Sequence, residues 1–289
     1  ITNIGGALVP YVAFGSYEAA IPGDQTTQYL VRREEDAVQM KRNIAAGISN
    51  LGYTYTKNST RNLNLVYADI DNFVNFYGRE NIAGYFIDEV NTENNPATIS
   101  YMQNIYNYIK TKYPEMLVLA NNGWGVRDAI APYADVWMLQ EVSADEYINH
   151  YRPRTSEFEK DPANSSKILH VIYGARADQY DEIIRLSRER NAANLFITSD
   201  TNAYPSGYDD LPTYFEALML AINNFTPKNG SLFSQVARSG SRVGIEMPRS
   251  KVDLDLTKLA RNSAYKNLTD TDGQEFNVNV SAIGNYGGD

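Results

Sequence analysis

The sequence predicts an α/β protein built as a (β/α)8 barrel, and three features of the chain lead to this fold class. Short apolar runs rich in β-branched and aromatic residues recur from residue 7 to about residue 225. Longer stretches with helical spacing lie between them, and polar turns separate the two kinds of segment. Apolar strands that alternate with helices indicate a parallel sheet covered on both faces. Seven such units favour a barrel with one strand missing or rearranged, and a doubly wound open sheet is the alternative.

Each unit can be placed along the chain. The predicted strands are ALVPYVAF (7–14), ISNLGYTYT (48–56), AGYFIDEV (83–90), MLVLANNG (116–123), DVWMLQEV (135–142), KILHVIYG (167–174) and NLFITSD (194–200). The predicted helices between and after them are 25–46, 64–77, 97–113, 178–190 and 211–224.

The eighth strand and the domain boundary are less evident in the sequence. The eighth strand could precede the chain, lie within 232–247, or be absent from a distorted barrel. TPKNGS marks a break near residue 226, and EFNVNVSAIGNYGG alternates apolar and polar residues as a half-exposed strand does. We therefore predict a barrel domain over 1–225 and a β-rich C-terminal extension over 226–289, which packs on the barrel or mediates self-association.

Composition excludes several classes of function. The net charge of −9 argues against binding nucleic acid, which requires clustered Lys and Arg. The absence of cysteine excludes disulfides, thiolate metal sites and a cysteine nucleophile. No apolar run approaches the roughly 20 residues of a membrane span. Ile1 is an unusual initiator, so we expect a processed or trimmed chain.

Polar residues collect where the predicted strands end, which is where barrel enzymes build their sites. Asp88 and Glu89 end the third run, Glu141 the fifth and Asp200 the seventh. Asn121 and Tyr173 hold the matching positions in the fourth and sixth runs. Buried carboxylates are costly unless they are hydrogen-bonded or protonated, so their recurrence at one rim indicates a function.

Paired carboxylates fit glycoside hydrolysis, in which one group protonates the leaving oxygen and another faces the cationic centre. Asp88 and Glu89 cannot both point inward on a regular strand, because successive side chains alternate. The alternative for this pair is an N-cap followed by a first-turn carboxylate of the next helix. No phosphate-binding loop, serine nucleophile elbow or H-E-x-x-H pair occurs, and we expect neither a metal nor an organic cofactor.

Aromatic side chains and one histidine complete the candidate site. Trp124 follows Asn-Asn-Gly in a predicted loop and could stack on a sugar ring. Trp137 lies inside a strand, where packing is the expected role. His170 also lies inside a strand and is either a substrate contact or a satisfied core histidine.

Six blocks of the chain resemble the spherulin-4 family in the family's order. They are LGYTYTKNSTRNLNLVYADIDNFVNFY, IAGYFIDEV, LVLANNG, ADVWMLQE, KILHVIYGA and LFITSDTNAYPSGYDDLPTYF. The family is grouped with secreted (β/α)8 endo-galactosaminidases, which cut α-1,4-linked galactosamine or N-acetylgalactosamine polymers. ANNGWG (120–125) departs from the N-P-G-type turn of the family.

The resemblance implies a set of site residues and an activity. It places the catalytic carboxylates on Asp88, Glu89 and Glu141, and it implies that the sugar cleft is lined by Tyr53, Asn121, Tyr173, Asp200 and Tyr204. The implied protein is an extracellular or cell-surface glycosidase whose partner is an amino-sugar polysaccharide. A surface-layer, filament or adhesion subunit on the same barrel, or a sugar-binding protein without turnover, are the alternative hypotheses.

Overall fold

The strands and helices of a computed structural model define the fold. The structure describes residues 2–4, 7–9, 11–21, 24–91, 93, 95–152, 156–201, 211–224, 265–269 and 275–279. Its strands are β1 (Thr2–Ile4), β2 (Ala7–Val9), β3 (Tyr11–Phe14), β4 (Tyr17–Ile21), β5 (Asp24–Leu30), β6 (Ser49–Tyr55), β7 (Gly84–Asp88), β8 (Leu117–Asn121), β9 (Val136–Ser143), β10 (Ile168–Tyr173), β11 (Asn194–Ile197), β12 (Tyr265–Thr269) and β13 (Glu275–Asn279). Its helices are α1 (Glu34–Ala45), α2 (Leu63–Tyr77), α3 (Pro96–Lys112), α4 (Ala144–Asn149), α5 (Glu157–Lys160), α6 (Tyr180–Glu189) and α7 (Phe215–Asn224).

All seven predicted parallel strands are present and form one curled sheet, but the first is shorter than predicted. Its N-terminal part forms β2, which pairs antiparallel with β1 outside this sheet, and only β3 joins the parallel sheet. The strand order is β3-β6-β7-β8-β9-β10-β11, so each strand lies beside its predecessor in the series, and every pair in the sheet is parallel. A doubly wound sheet reverses direction at a switch point, and this order contains no reversal. The alternative fold prediction is therefore wrong, and the structure is a half-barrel.

The predicted complete barrel is not observed among the described strands. No hydrogen-bonded pairing joins the two edges of the seven-stranded sheet, β3 and β11, within the described part of the chain. Near the open edge, β1 approaches β11 but pairs with β2 in an antiparallel hairpin. The candidate eighth strand at 232–247 lies outside the described residues.

The prediction of a helix over 25–46 is wrong for its N-terminal part. Helix α1 begins only at Glu34, and the preceding residues form β5, which pairs with β4 as an antiparallel hairpin. The sequence of β5 contains the β-branched residues Thr26 and Thr27, which favour a strand. The first turn of α1 carries Glu34, Glu35 and Asp36, which interact favourably with the positive end of the helix dipole.

Two apolar layers cover the two faces of the sheet. The concave face holds one cluster, and the convex face packs against the helices, for example through Tyr85, Ile87 and Trp137. The concave cluster consists of Leu51, Leu119, Val136, Met138, Leu169 and Val171. The concave cluster forms an apolar floor beneath the carboxyl ends of the strands.

The C-terminal region is described only in part. Strands β12 and β13 pair antiparallel within the predicted β-rich extension. The division into domains at residue 226 stays a prediction, because residues 225–264 lie outside the described part of the chain. Among the described residues, no helix is both long and apolar enough to span a membrane.

Candidate active site

Alternation along three strands carries polar side chains to the concave face directly above the apolar floor. Tyr53 follows Leu51 by two residues in β6, and Asn121 follows Leu119 by two in β8. Asp88 likewise follows Phe86, which packs against the concave cluster. Because side chains two apart point to the same face of a strand, these three groups form one layer at the carboxyl ends.

Glu141 joins this layer through an irregularity in β9. Leu169 is paired with Met138, whereas His170 is paired with Gln140, so one extra residue is accommodated in β9. Such a bulge changes the alternation of the strand that contains it. Glu141 is therefore paired with Val171, which lies on the concave face.

The amide of Asn121 holds two of the three predicted catalytic carboxylates together. Asn121 Nδ2 donates to Asp88 Oδ1 at 2.8 Å and to Glu141 Oε2 at 3.0 Å. Asn121 is buried, and both carboxylates are half-buried. One amide nitrogen therefore brings the two carboxylates into close proximity.

Tyr53 is a second donor to Asp88. Its hydroxyl donates to Asp88 Oδ2 at 2.9 Å, and its ring stacks on Phe86 with centroids 5.9 Å apart. Burial raises the pKa of Tyr53, and the negative charge of Asp88 raises it further. Tyr53 therefore remains a protonated hydrogen-bond donor throughout the physiological pH range.

Glu89 leaves the strand in an unusual backbone conformation. Its φ of 55° lies in the left-handed region, and its backbone N–H donates to Asp88 Oδ1 at 2.8 Å. Partial loss of hydration raises the pKa of the Glu89 carboxyl, and the adjacent charge of Asp88 raises it further. A hydrogen bond from the Lys57 N–H and the charge of Lys57 act in the opposite direction. Glu89 is thus the carboxyl of this cluster that is best suited to retain a proton.

The loop between β6 and α2 contacts Glu89 and contains three consecutive left-handed residues. Lys57, Asn58 and Ser59 have φ values of 51°, 53° and 62°. None of them is glycine, and each such conformation costs on the order of 1–3 kcal/mol. We call this segment the 57–59 turn.

A buried ion pair supports Tyr53 from the convex face. Arg61 Nη1 donates to Asp69 Oδ2 at 2.6 Å, and the two side chains are only 5% and 3% exposed. Tyr17 Oη lies 2.8 Å from the same Asp69 oxygen and 3.0 Å from the backbone oxygen of Tyr53. The hydroxyl of Thr54 donates to Asp69 at 2.8 Å, so the carboxylate is surrounded by donors.

Sequence reasoning missed this ion pair, although a signal was present. Asp69 lies on the same helical face as Val66, Ile70 and Phe73, which are buried. A charged residue within an apolar stripe requires a buried partner. The spacing alone could therefore have indicated a buried salt bridge.

Trp124 lies on an exposed loop after β8, as predicted. It is 66% exposed and is flanked by Gly123 and Gly125, both with positive φ. The Arg152 guanidinium stacks on the indole, 3.1 Å from the ring centroid, and pairs with Glu146 at 2.8 Å. Trp137, by contrast, is fully buried and donates from Nε1 to the Ala131 oxygen, which confirms its packing role.

His170 does not lie at the carboxylate layer. It is adjacent to the inward-facing Leu169 and Val171, so its side chain projects from the convex face. It is 3% exposed, and its Nδ1 lies 2.7 Å from Tyr147 Oη. The predicted substrate contact is therefore wrong, and His170 is a core histidine with a hydrogen-bond partner.

The remaining predicted residues lie on the last two strands of the sheet. Tyr173 is the last residue of β10 and follows Val171 by two, which places it on the concave face. Asp200 lies just after β11, where its backbone oxygen accepts from Gly174 N at 2.6 Å. Tyr204 lies outside the described residues, so its role stays a prediction.

A surface cavity of about 850 Å³ lies apart from this layer. Its lining includes Tyr106 of α3 and residues from the segments that precede β9 and β10, at the amino ends of those strands. Several of its polar groups have structural partners: Asp128 accepts from the backbone N–H groups of Glu157 and Phe158. This cavity is therefore not part of the candidate active site.

The curled parallel sheet with polar residues at its carboxyl ends defines a TIM-like α/β protein. Residues 31–222 match the family described as Spherulation-specific family 4. Because the match covers more than half of the chain, the chain belongs to this family. Spherulin-4 of Physarum polycephalum is 34% identical over 84 residues, which are 29% of this chain and 24% of that protein. The matched segment therefore spans about a quarter of that relative.

Two solved structures are similar to this chain. Aspergillus clavatus Sph3 in complex with GalNAc has a TM-score of 0.54 and 17% identity, over 74% of this chain and 84% of that chain. A fungal endo-beta-N-acetylglucosaminidase from glycosyl hydrolase family 18 has a TM-score of 0.42 and 11% identity, over 81% of this chain and 89% of that chain. The similarity to Sph3 supports a TIM-like α/β fold.

Proposed function

We propose that this chain is an endo-glycosidase that hydrolyses an α-1,4-linked galactosamine or N-acetylgalactosamine polysaccharide. The observation that carries the proposal is the pair of carboxylates, Asp88 and Glu141, bound to one amide nitrogen of Asn121. Glu89, with its raised pKa, adjoins this pair. The cluster thus combines two hydrogen-bonded carboxylates with a carboxyl suited to proton donation, which glycoside hydrolysis requires.

The environments of the three groups suggest their roles. Three donors converge on Asp88: the Asn121 amide, the Tyr53 hydroxyl and the Glu89 N–H. Asp88 and Glu141 together provide negative charge for the anomeric centre as it becomes oxocarbenium-like in the transition state. Glu89, although it is an exposed residue, protonates the leaving glycosidic oxygen, because partial loss of hydration and the charge of Asp88 favour its protonated form.

The choice of an amino sugar rests on three supports. The chain belongs to Spherulation-specific family 4. Sph3, which shares the fold, was solved in complex with GalNAc. The net charge of −9 favours approach of a partly deacetylated, cationic polymer. Trp124 offers an exposed indole on which the polymer would stack, and an extracellular or cell-surface location would give access to it.

The test is release of reducing ends from purified galactosamine and N-acetylgalactosamine polymers. Asp88→Asn and Glu141→Gln are isosteric changes that remove charge, and each should lower the rate at least a hundredfold. Glu182→Gln is the matched control, because Glu182 pairs with Arg185 on the exposed surface of α6. Its rate should equal that of the wild type.

Other outcomes would favour the alternative hypotheses. A folded chain that binds these polymers without cleaving them would be a sugar-binding protein without turnover. A chain that neither binds nor cleaves them, and whose particles grow with concentration, would be a structural or adhesion subunit. Equal rates in the wild type and both carboxylate variants would refute the assigned site.

A further inference from the structure

The loop that carries Trp124 begins at the carboxylate layer. Trp124 follows Asn121, which binds both carboxylates, by three residues. Asn122 holds the backbone of this loop, because its side chain accepts from the Trp124 N–H at 3.2 Å and donates to the Gly125 oxygen at 2.7 Å. These bonds fix the main chain of the loop, but they do not fix the indole ring.

The Arg152 guanidinium holds the indole ring instead. It lies 3.1 Å from the ring centroid and covers one of the two faces of the indole. Among the described residues, no hydrogen bond and no other ring or cation contact involves this indole. Trp124 is nevertheless 66% exposed, so the face opposite Arg152 is open to solvent.

Arg152 is itself fixed by α4, the helix that follows the strand of Glu141. Arg152 Nη2 donates to Glu146 Oε1 at 2.8 Å, and the Glu146 N–H donates to Ser143 Oγ at the start of the helix. Arg152 Nη1 is buried and has no hydrogen-bond partner within the described part of the chain. The contacts that fix the guanidinium are therefore the indole and Glu146, and a planar guanidinium can stack and pair at the same time.

We propose that Arg152 is a positioning residue for substrate binding, which holds the Trp124 indole with one face covered and the other face open to the polymer. This inference rests on the proposed function, in which Trp124 stacks on the sugar. Ordering a mobile side chain at the moment of binding weakens affinity, and an indole already held by Arg152 avoids this loss. Because the stack serves substrate and transition state alike, Arg152 should act on KM and not on kcat.

The first test measures the mobility of the indole without any substrate. The full-length ¹⁵N-labelled chain has two indole N–H signals, one from each tryptophan, and the signal of Trp124 is the one lost in Trp124→Phe. Its order parameter should be about 0.85 in the wild type and below about 0.6 in Arg152→Gln, whereas the buried Trp137 should stay rigid in both.

Arg185→Gln is the matched control for this measurement, because Arg185 is an exposed arginine that pairs with carboxylates on α6. It should leave the Trp124 signal unchanged. Equal order parameters in the wild type and Arg152→Gln would overturn the inference. A Trp124 order parameter below about 0.6 in the wild type would overturn it as well, even if Arg152→Gln failed to fold.

The second test uses turnover of the amino-sugar polymer. Arg152→Gln should raise KM about threefold to tenfold and leave kcat within about twofold, and Arg185→Gln should match the wild type. In a Trp124→Ala background, Arg152→Gln should leave KM unaltered, because the side chain that Arg152 holds is gone. An equal rise of KM in both backgrounds would overturn the inference. An inactive wild type would refute the proposed function, whereas the order parameters would still decide the positioning role.

Discussion

Glu141 is paired with Val171 on the concave face of the sheet, although strict alternation from Met138 would turn it toward the helices. The bulge between Met138 and Glu141 in β9 supplies one extra residue, which turns the Glu141 side chain to the concave face. It brings Glu141 within hydrogen-bonding distance of Asn121. The composition of the carboxylate layer therefore depends on one backbone irregularity.

Asn121 should contribute to the stability of the fold. Asn121→Ala leaves Asp88 and Glu141 facing each other without their shared donor, so we expect a loss of about 1–3 kcal/mol in unfolding free energy. Urea unfolding measures this loss. Asn122→Ala, in the neighbouring loop, is the control, and unchanged stability in Asn121→Ala would contradict the prediction.

Glu89 should reduce the stability of the folded chain at neutral pH. Its raised pKa means that the stability contributed by its bound proton is present below 4.5, its ordinary pKa, and is lost as the pH rises through the raised value. Glu89→Gln should therefore match the wild type near pH 3 and exceed it in unfolding free energy near pH 7.

Glu182→Gln provides a check on the account of Glu89, because its effect on the unfolding free energy should change with pH in a different way. A hydrogen bond from Arg185 lowers the pKa of Glu182, so Glu182 contributes stability above its ordinary pKa that is lost as the pH falls through the lowered value. Glu182→Gln should be less stable than the wild type at pH 7 and match it in acid. Parallel pH dependence in the two variants would refute the account of Glu89.

Trp124 should report sugar binding through its fluorescence. The chain has two tryptophans, and the other, Trp137, is fully buried. Amino-sugar oligosaccharides should shift the emission of the wild type but not that of Trp124→Phe. Trp124→Ala should raise KM by about tenfold with kcat unchanged, because stacking stabilises substrate and transition state alike. An emission shift that persists in Trp124→Phe would exclude Trp124 from the binding surface.

The buried ion pair should have a much larger effect on stability than a surface pair. Asp69→Ala leaves the Arg61 guanidinium buried without its carboxylate, and we expect a loss of about 3–5 kcal/mol. Arg185→Ala breaks the exposed pairs of Arg185 with Glu182 and Glu189, in which Arg185 is 46% exposed and the two carboxylates 43% and 57%. It should cost less than about 1 kcal/mol. Denaturant unfolding of both variants tests the contrast, and similar losses would show that the Arg61–Asp69 pair is not specially buried in solution.

Periodicity predicted the strands well because each unit of the sheet is built from residues close together in sequence. All seven parallel strands are confirmed, as are helices α2, α3, α6 and α7, with limits no more than four residues from the predicted ones. The β4–β5 hairpin was missed because Asp24–Leu30 lies directly before a real helix, and its polar residues fit either pattern. The completeness of the barrel depends on contacts between distant segments, which periodicity does not encode.

The site was predictable only where alternation is regular. Asp88 and Asn121 follow from counting residues along their strands. Glu141 was selected from its place at a strand end and from the family resemblance. The direction of its side chain depends on a bulge that no local sequence pattern predicts. His170 could not be assigned to a face from the sequence, since both faces of its strand are buried.

The buried ion pair also affects where this protein could be truncated. The family match begins at residue 31, after the β4–β5 hairpin. Yet Tyr17 contacts Asp69, and Gln28 accepts from Arg61 Nη2 at 3.2 Å. A fragment that begins at the edge of the family match would lack both Tyr17 and Gln28. It would expose the buried Arg61–Asp69 pair to solvent on the convex side of Tyr53. The smallest fragment that preserves the carboxylate cluster must therefore begin before Tyr17, in a segment that the family match does not include.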